Sequence, residues 1–256
     1  MKAIFLSDVH LKGTADPACH RLIRFLKGLR GRAAADVRDV SNDRLTVDHL
    51  FIVGDFFDFW FARGDVIYPG FRPIVDRVAA LQDEGVRISL CEGNHDFFLA
   101  DYFSGRLGLE VYPEWAEFTI DGLRMLVSHG DTVDRDNRRY LALRGFLRSA
   151  FACRLQRLLP LNFLWRVARL SSEMSKGMSD GSEERLAKIM HQFALRKFGE
   201  GYDAVVLGHC HKPILRQEQS NGRQKTFATL GDWITHDSYL RYDDGRFFLN
   251  RFPPAG

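Results

Sequence analysis

Five short groups of residues have the types to hold metal ions or move protons: Asp8 and His10, Asp55 and Asp58, Asn94 and His95, His129 and Asp131, and His209 and His211. Each group comes at the end of an apolar run, from Ala3-Ile4-Phe5-Leu6 before the first to Ala204-Val205-Val206-Leu207 before the last. Carboxylate, imidazole and amide oxygen together suit borderline or hard divalent ions such as Mn2+, Fe2+ or Zn2+. Two such ions about 4 Å apart need a carboxylate able to bridge them, and the pair clamps the attacking and leaving oxygens of an in-line phosphoryl displacement. Taken singly, the groups say little. Asp-x-His after a strand is common, Gly-Asp is often only a turn, and a lone His at a strand end is usually a hydrogen-bonded turn residue. Gly208-His209-Cys210-His211 says more, because positions i and i+2 on extended backbone bring two imidazoles toward one site. The specificity lies in the order and shared context of all five.

Those apolar runs read as strands. A run that ends abruptly in Gly54-Asp55 is a buried strand followed by a turn that throws a carboxylate above the sheet. In open α/β sheets ligands bind beyond the carboxyl ends of strands. Strands are expected near residues 2–6, 50–53, 87–92, 117–120, 123–128, 204–207, 213–218, 225–230, 238–242 and 246–251, with Asp121-Gly122 as a hairpin turn. Helical periodicity marks residues 17–30, with Pro17 in the first turn, residues 71–84, closed by Gly85, and residues 97–108. Residues 31–48, with Asp39, Ser41, Asn42 and Asp43, read as a loop of no evident function, and 61–70 as an irregular loop. From 138 to 198 the rhythm changes: Phe146, Phe151, Leu155, Phe163 and Trp165 mix with Arg138, Arg139, Arg144, Arg148, Arg154, Arg157, Arg166 and Arg169. This reads as a helical insertion broken near Pro160, a polar hinge at 171–182, and a further helix at 183–198.

A chain of 256 residues that is 45% hydrophobic can bury one sizeable core, and a single domain over residues 1–256 is expected. A net charge of +3 suits an anionic substrate without naming one, and without a block of like charge no nucleic-acid partner is expected. Cys19, Cys91, Cys153 and Cys210 form no CxxC pair, so reduced thiols in a reducing compartment are expected. No signal peptide is read at the N-terminus, and no run approaches the roughly 20 apolar residues of a membrane span. A cytoplasmic location follows as the expectation.

Together, Asp8-x-His10, Gly54-Asp55-x-x-Asp58, Gly93-Asn94-His95-Asp96, Ser128-His129-Gly130-Asp131 and Gly208-His209-x-His211 resemble the motif set of the calcineurin-like metallophosphoesterase superfamily, over essentially the whole chain. The resemblance implies an α/β fold, an αββα sandwich of two mixed sheets flanked by helices. It also implies two divalent metal ions, Mn2+ first, with Fe2+ or Zn2+ as alternatives. Carried onto this chain, Asp8, His10, Asp55 and His211 would hold one ion, and Asp55, Asn94, His129 and His209 the other. His95 is similar to the histidine that contacts the phosphate and helps protonate the leaving group. Asn94, His95 and His209 would also meet the substrate.

A narrower resemblance is to the pyrophosphatases that cleave UDP-2,3-diacylglucosamine in lipid A synthesis. Its carriers are Gly54-Asp55-Phe56-Phe57-Asp58-Phe59-Trp60, Asn94-His95-Asp96-Phe97, His129-Gly130-Asp131-Thr132 and the arginine- and leucine-rich insertion. In that branch the insertion forms a lid over the acyl chains, and Asn137, Tyr140 and Ser175 fall where substrate contacts lie. What this implies is hydrolysis of a nucleotide-linked glycolipid to UMP and 2,3-diacylglucosamine 1-phosphate, on the cytoplasmic face of the inner membrane. The chain departs from the well-studied branch at His95, where that branch has Arg, and at Asn137, where it often has Asp. Both departures bear on the substrate more than on the reaction.

Other readings stand beside this one. An aromatic and leucine stripe at helical spacing is usually core and its arginines a solvated face, although basic amphipathic helices also suit anionic membrane surfaces. A soluble metal-dependent phosphodiesterase or phosphatase acting on a nucleotide or phosphoprotein is the alternative. A fold kept only as a binding scaffold would have no need for a complete ligand set. Cys210 reads as a passenger between the histidines.

Overall fold

Strands that are apolar on both sides must be covered on both sides. The computed structural model, which describes residues 1–32, 44–174, 182–220 and 222–253, meets that need with four layers. In chain order the first half runs β1 (Lys2–Leu6), α1 (Pro17–Lys27), β2 (Leu29–Arg30), β3 (Leu45–Thr46), β4 (His49–Val53), α2 (Arg72–Asp83), β5 (Arg87–Cys91), α3 (Ala100–Leu107) and β6 (Glu110–Tyr112). There follow β7 (Ala116–Ile120), β8 (Leu123–Ser128), α4 (Arg138–Leu147), α5 (Ala150–Leu158), α6 (Leu161–Met174) and α7 (Ser182–Gly199). The chain closes with β9 (Ala204–Leu207), β10 (Pro213–Ser220), β11 (Arg223–Leu230), β12 (Ser238–Asp243) and β13 (Arg246–Arg251).

One sheet has the order β13-β12-β1-β4-β5-β6 and the other β10-β11-β9-β8-β7. Within the first, β1, β4, β5 and β6 are parallel and β12 is antiparallel to both its neighbours. Within the second, β11, β9 and β8 are parallel, with antiparallel strands at each edge. Period-2 alternation assigns the side chains to layers. Ala3, Phe5, Phe51 and Val53 face inward and pack against Met125, Val127, Val206 and Ala228 of the second sheet. Phe5 and Phe51 are register partners, and their rings stack at 4.3 Å. Ile4, Leu6, Leu50 and Ile52 face the other way, under Leu22 and Leu26 of α1 and Ile74 and Val78 of α2. On the far side Met190 and Ala194 of α7 cover Leu126, Val205 and Leu207. The result is the expected αββα sandwich of two mixed sheets.

The differences from expectation are local. The first helix ends at Lys27 rather than residue 30, and Leu29–Arg30 instead pairs in parallel with Leu45–Thr46, inside the stretch read as loop. Asp39, Ser41, Asn42, Asp43 and Ser175 lie outside the described residues. The helix expected from 97 begins only at Ala100, because Phe98 has φ +61° and cannot continue a right-handed turn. The edge strand β6 was not foreseen: three residues carry no period.

Between β8 and β9, α4 has an unusual section. It contains no buried residue. Its apolar Leu143 and Phe146 are 57% and 54% exposed, while the Arg144 and Arg148 side chains, at 11% and 12%, face the protein. α5 and α6 continue the outward ridge with Phe151, Leu155, Leu158 and Phe163. They are fastened beneath by Trp165, whose Nε1 donates to the Phe61 carbonyl at 3.2 Å, and by Arg63, which donates to the carbonyls of Arg157 and Leu159 at the end of α5. Among the described residues no helix is long and apolar enough to cross a membrane.

Candidate metal centre

Because β1, β4 and β5 are parallel neighbours, as are β8 and β9, their carboxyl ends project from one rim of the sandwich. There the loops hold each other in an order that continues the sheet: Asp8 N donates to Gly54 O, His10 N to Asp55 O and Leu11 N to Phe56 O. Five of the sequence-expected ligands sit on left-handed backbone: Asp8, His10, Asp55, His209 and His211, with φ between 49° and 62°. A non-glycine residue there costs on the order of 1–3 kcal/mol, and such strain concentrates at functional sites. Two glycines allow the close approach. A Cβ on Gly93 would stand 2.1 Å from Asp55 Oδ1, and one on Gly54 would meet the His129 ring at 2.7 Å.

Two clusters of donor atoms result. Asp8, His10 and His211 form one, and Asp55, His129 and His209 the other, with the ligand atoms of each within 4.8 Å of one another. Asp55 joins them: its Oδ2 lies 3.6 Å from His10 Nε2 and 3.4 Å from His129 Nε2. Asn94 Oδ1 is 3.1 Å from His129 Nε2, which adds the amide oxygen to the second cluster. All seven residues named from the sequence as ligands therefore converge, in two sets that share Asp55.

The donors fit a pair of cations. Asp8 Oδ1 and His10 Nε2 are buried and have no hydrogen-bond partner in the protein, an arrangement that is costly unless something else satisfies them. Carboxylates dominate the surroundings of two of the imidazoles. Burial alone would lower His129, yet Asp55 and Asp8 hold it up at about 10. Burial likewise opposes the rise of His211 to about 9, which Asp232 and Asp8 impose. Burial raises Asp8, and it lowers His10 to about 3. Cys210 Sγ turns away to the Glu183 carbonyl, at 3.6 Å, which leaves a donor set of oxygen and nitrogen.

His95 stands at the mouth of the centre. Its ring lies edge-on to His10 with centroids 4.8 Å apart, its Nδ1 is 3.2 Å from the Asp58 carbonyl, and its backbone N–H donates to Asp55 Oδ1 at 2.9 Å. Of the residues named for substrate contact, Asn137 caps α4, accepting from Tyr140 N. The Tyr140 hydroxyl donates to Asp131 Oδ2 at 2.8 Å, with the ring 6.2 Å from that of His209. Burial opposes the charge on Asp131, but His129 and Arg144 hold its pKa low.

Three further carboxylates have parts that the sequence reading did not give them. Asp58 joins His10 and His95 in a third cluster. Asp96 is fully buried and accepts from the N–H groups of Asp55, Phe56, Phe57 and Gly93. Asp232 accepts from the N–H groups of Ile234, Thr235 and His236, and its Oδ2 lies 3.6 Å from His211 Nδ1, on the side away from Asp8. A signal for Asp232 was present: Leu230-Gly231-Asp232 repeats the strand-Gly-Asp pattern of Val53-Gly54-Asp55.

Fold and centre together define a metal-dependent hydrolase. The calcineurin-like phosphoesterase family matches residues 1–213, and the chain belongs to that family. Its curated relatives include proteins named UDP-2,3-diacylglucosamine hydrolase. The one from Proteus mirabilis is 26% identical over 254 residues, covering 99% of this chain and 100% of the relative. That from Edwardsiella ictaluri is 28% identical over 262 residues, covering 99% and 93%. A solved structure described as a novel archaeal phosphodiesterase aligns over 98% of this chain and 99% of its own at 14% identity, with a TM-score of 0.45.

Proposed function

We propose that this chain hydrolyses the pyrophosphate of UDP-2,3-diacylglucosamine to UMP and 2,3-diacylglucosamine 1-phosphate. The observation that carries the reading is a carboxylate within reach of both donor clusters, Asp55, on the same rim as helices that turn their apolar side chains to solvent. In this reading Asp8, His10, Asp55 and His211 hold one ion, and Asp55, Asn94, His129 and His209 the other. An oxygen and nitrogen donor set without thiolate suits Mn2+, Fe2+ or Zn2+, and Mn2+ is taken first on the family resemblance. When bound, the two ions polarise the phosphoryl oxygens and lower the pKa of an attacking water.

The chain's own groups do the rest. Water adds across the P–O–P bridge: one P–O bond forms, one breaks, and the bridging oxygen leaves on the glycolipid phosphate. In this reading His95, whose Nδ1 meets the Asp58 carbonyl, gives that oxygen its proton. Asn94 and His209 line the same opening. Beneath α5 and α6 lies a shallow open cleft where Trp60, Phe61, Phe98, Leu161 and Leu164 share the lining with Arg63, Asp101, Gln156 and Arg157. In this reading residues 138–182 are the lid. The exposed ridge of Leu143, Phe146, Phe151, Leu155, Leu158 and Phe163, flanked by the exposed Arg138, Arg139, Arg154 and Arg166, docks on the anionic cytoplasmic face of the inner membrane.

The test is substrate competition. The purified Mn2+-loaded protein is given detergent-solubilised UDP-2,3-diacylglucosamine, bis-p-nitrophenyl phosphate, cyclic nucleotides and a phosphopeptide. UMP release with the highest kcat/KM on the glycolipid is expected. Faster turnover of a cyclic nucleotide or phosphopeptide, with the glycolipid intact, would make this a soluble phosphodiesterase or phosphatase.

A further inference from the structure

Arg144 of α4 and Arg148, which caps its C-terminus, reach the loops that carry two ligands of one half of the centre. Arg148 donates through Nη1 to Glu92 Oε2 at 2.9 Å and to the Pro113 carbonyl at 3.0 Å, and through Nη2 to the Gly93 carbonyl at 2.6 Å. Gly93 immediately precedes Asn94. One turn earlier Arg144 pairs with Asp131, two residues beyond His129, and donates to Glu114 Oε1 at 2.8 Å. Tyr140, a turn earlier again, donates to the same Asp131. Positions 140, 144 and 148 lie on one face of the helix at i, i+4 and i+8. Thus one helix face grips the loop after β5 and the loop after β8, whose Asn94 and His129 stand 3.1 Å apart. The Asp8, His10 and His211 half is anchored differently: Trp233 N donates to the Asp8 carbonyl, and Asp232 lies behind His211.

We infer that α4 is a positioning part of the metal centre, with Arg148 and Arg144 holding the Asn94 and His129 loops so that the second ion binds, and that the helix is not solely a cover over substrate. This rests on the two-metal reading above. It also explains how a helix without a buried residue is held in place. Its inward contacts are charge-assisted hydrogen bonds, each roughly twice as strong as a neutral one, which leaves its apolar face free to point outward.

The inference separates the two ions, and so does its test. Arg148→Met and Arg148→Lys are compared with the full-length wild type by Mn2+ titration, following free Mn2+ and the exchange-coupled pair by electron paramagnetic resonance. Turnover of bis-p-nitrophenyl phosphate is measured in parallel. In Arg148→Met the first ion should bind as in wild type and the second about 10–100-fold more weakly, the usual effect of removing a group that orients ligands. Turnover should recover at high Mn2+. Added guanidinium should restore part of the lost affinity in Arg148→Ala. Wild-type affinity for both ions in Arg148→Met, or equal loss of both, would overturn the inference. If that variant does not fold, Arg148→Lys decides by the same readout: it keeps a charge for Glu92 but cannot span to the Gly93 carbonyl, so it too should weaken the second ion alone. A wild type that binds no pair of ions would instead sink the metal-centre reading itself.

Discussion

Replacing Asp96 by Asn tests how Asp55, the carboxylate between the two donor clusters, is kept in register. Asp96 Oδ1 accepts from the N–H groups of Asp55 and Gly93, both at 2.9 Å, and Oδ2 from those of Phe56 at 2.7 Å and Phe57 at 3.1 Å. Asn keeps one acceptor oxygen and turns an NH2 toward the other two donors. Two hydrogen bonds to a charged group, at about 1.5–3 kcal/mol each, give a loss of about 3–6 kcal/mol. A countervailing effect operates. Burial and the neighbouring Asp55 push the Asp96 carboxyl up to about 7, against the pull of the Phe57 and Gly93 amides, so removing its charge recovers part of the loss. The net should fall near the lower end, about 3 kcal/mol, against the 5–15 kcal/mol that holds a typical domain together. Because the freed amides belong to Asp55 and its successors, the bridge should also shift. Urea unfolding of the Mn2+-loaded proteins at neutral pH, with the slope unchanged, measures the first effect, and kcat on a small diester the second. A loss below about 1 kcal/mol with unaltered kcat would refute this account of the four contacts.

Asp55→Ala should abolish turnover and lower metal content below two equivalents while far-UV circular dichroism stays native; two full equivalents with normal turnover would defeat the bridge. His95→Ala should keep both ions and lose about 10²–10⁴ in kcat, the range for a general acid, and a missing ion in elemental analysis would make His95 a ligand instead. Polar substitution at Phe151, Leu155 and Phe163 should depress kcat/KM for the glycolipid far more than for bis-p-nitrophenyl phosphate; equal losses in folded protein would assign these residues to packing. Burial opposes the charge on Asp203, but Lys225, at 2.8 Å, and the Arg124 N–H hold its pKa below the ordinary value. A depressed carboxyl stabilises the fold above about pH 4 and loses that contribution as pH falls through its folded value. Asp203→Asn should therefore cost about 1.5–3 kcal/mol at pH 7, with the gap to wild type narrowing as pH falls below about 4; a gap that widens in acid would refute it.

The ligand rim was legible because each of its parts obeys a local rule: an apolar run, an abrupt polar end and a residue able to coordinate. Parallel pairing of β1 with β4 and of β8 with β9 then carries those ends to one edge. The direction in which α4 faces was not legible. Periodicity separates apolar from charged faces, but it does not say which of the two meets the protein. At Arg144 and Arg148 the charged face does, against the usual rule, because buried carboxylates and carbonyls wait there. The arginines read as a single basic surface therefore divide: Arg144 and Arg148 are structural, while Arg138, Arg139, Arg154 and Arg166 stay exposed. The role of Asp96 was overlooked for a related reason: it acts through backbone N–H groups of other residues, which leave no mark on side-chain pattern. Asp232 did leave one, in the strand-Gly-Asp pattern of Leu230-Gly231-Asp232.

The position of β1 has a consequence for biogenesis. This strand leads into Asp8 and His10 and is synthesised before both strands it pairs with, yet one of those two neighbours is the distant β12, with Lys2 opposite Asp243. Until that distant segment leaves the ribosome, β1 lacks a partner on one side, and the open edge of a nascent strand invites pairing with other chains. Contacts so far apart in sequence form slowly, since the intervening loop must be closed before they contribute anything. Trp233, which holds the Asp8 carbonyl, emerges just before β12. The centre is consequently a late product of folding: a chain halted at His211 would possess every residue of the two donor clusters and still lack the strand and the latch that hold the first of them in place.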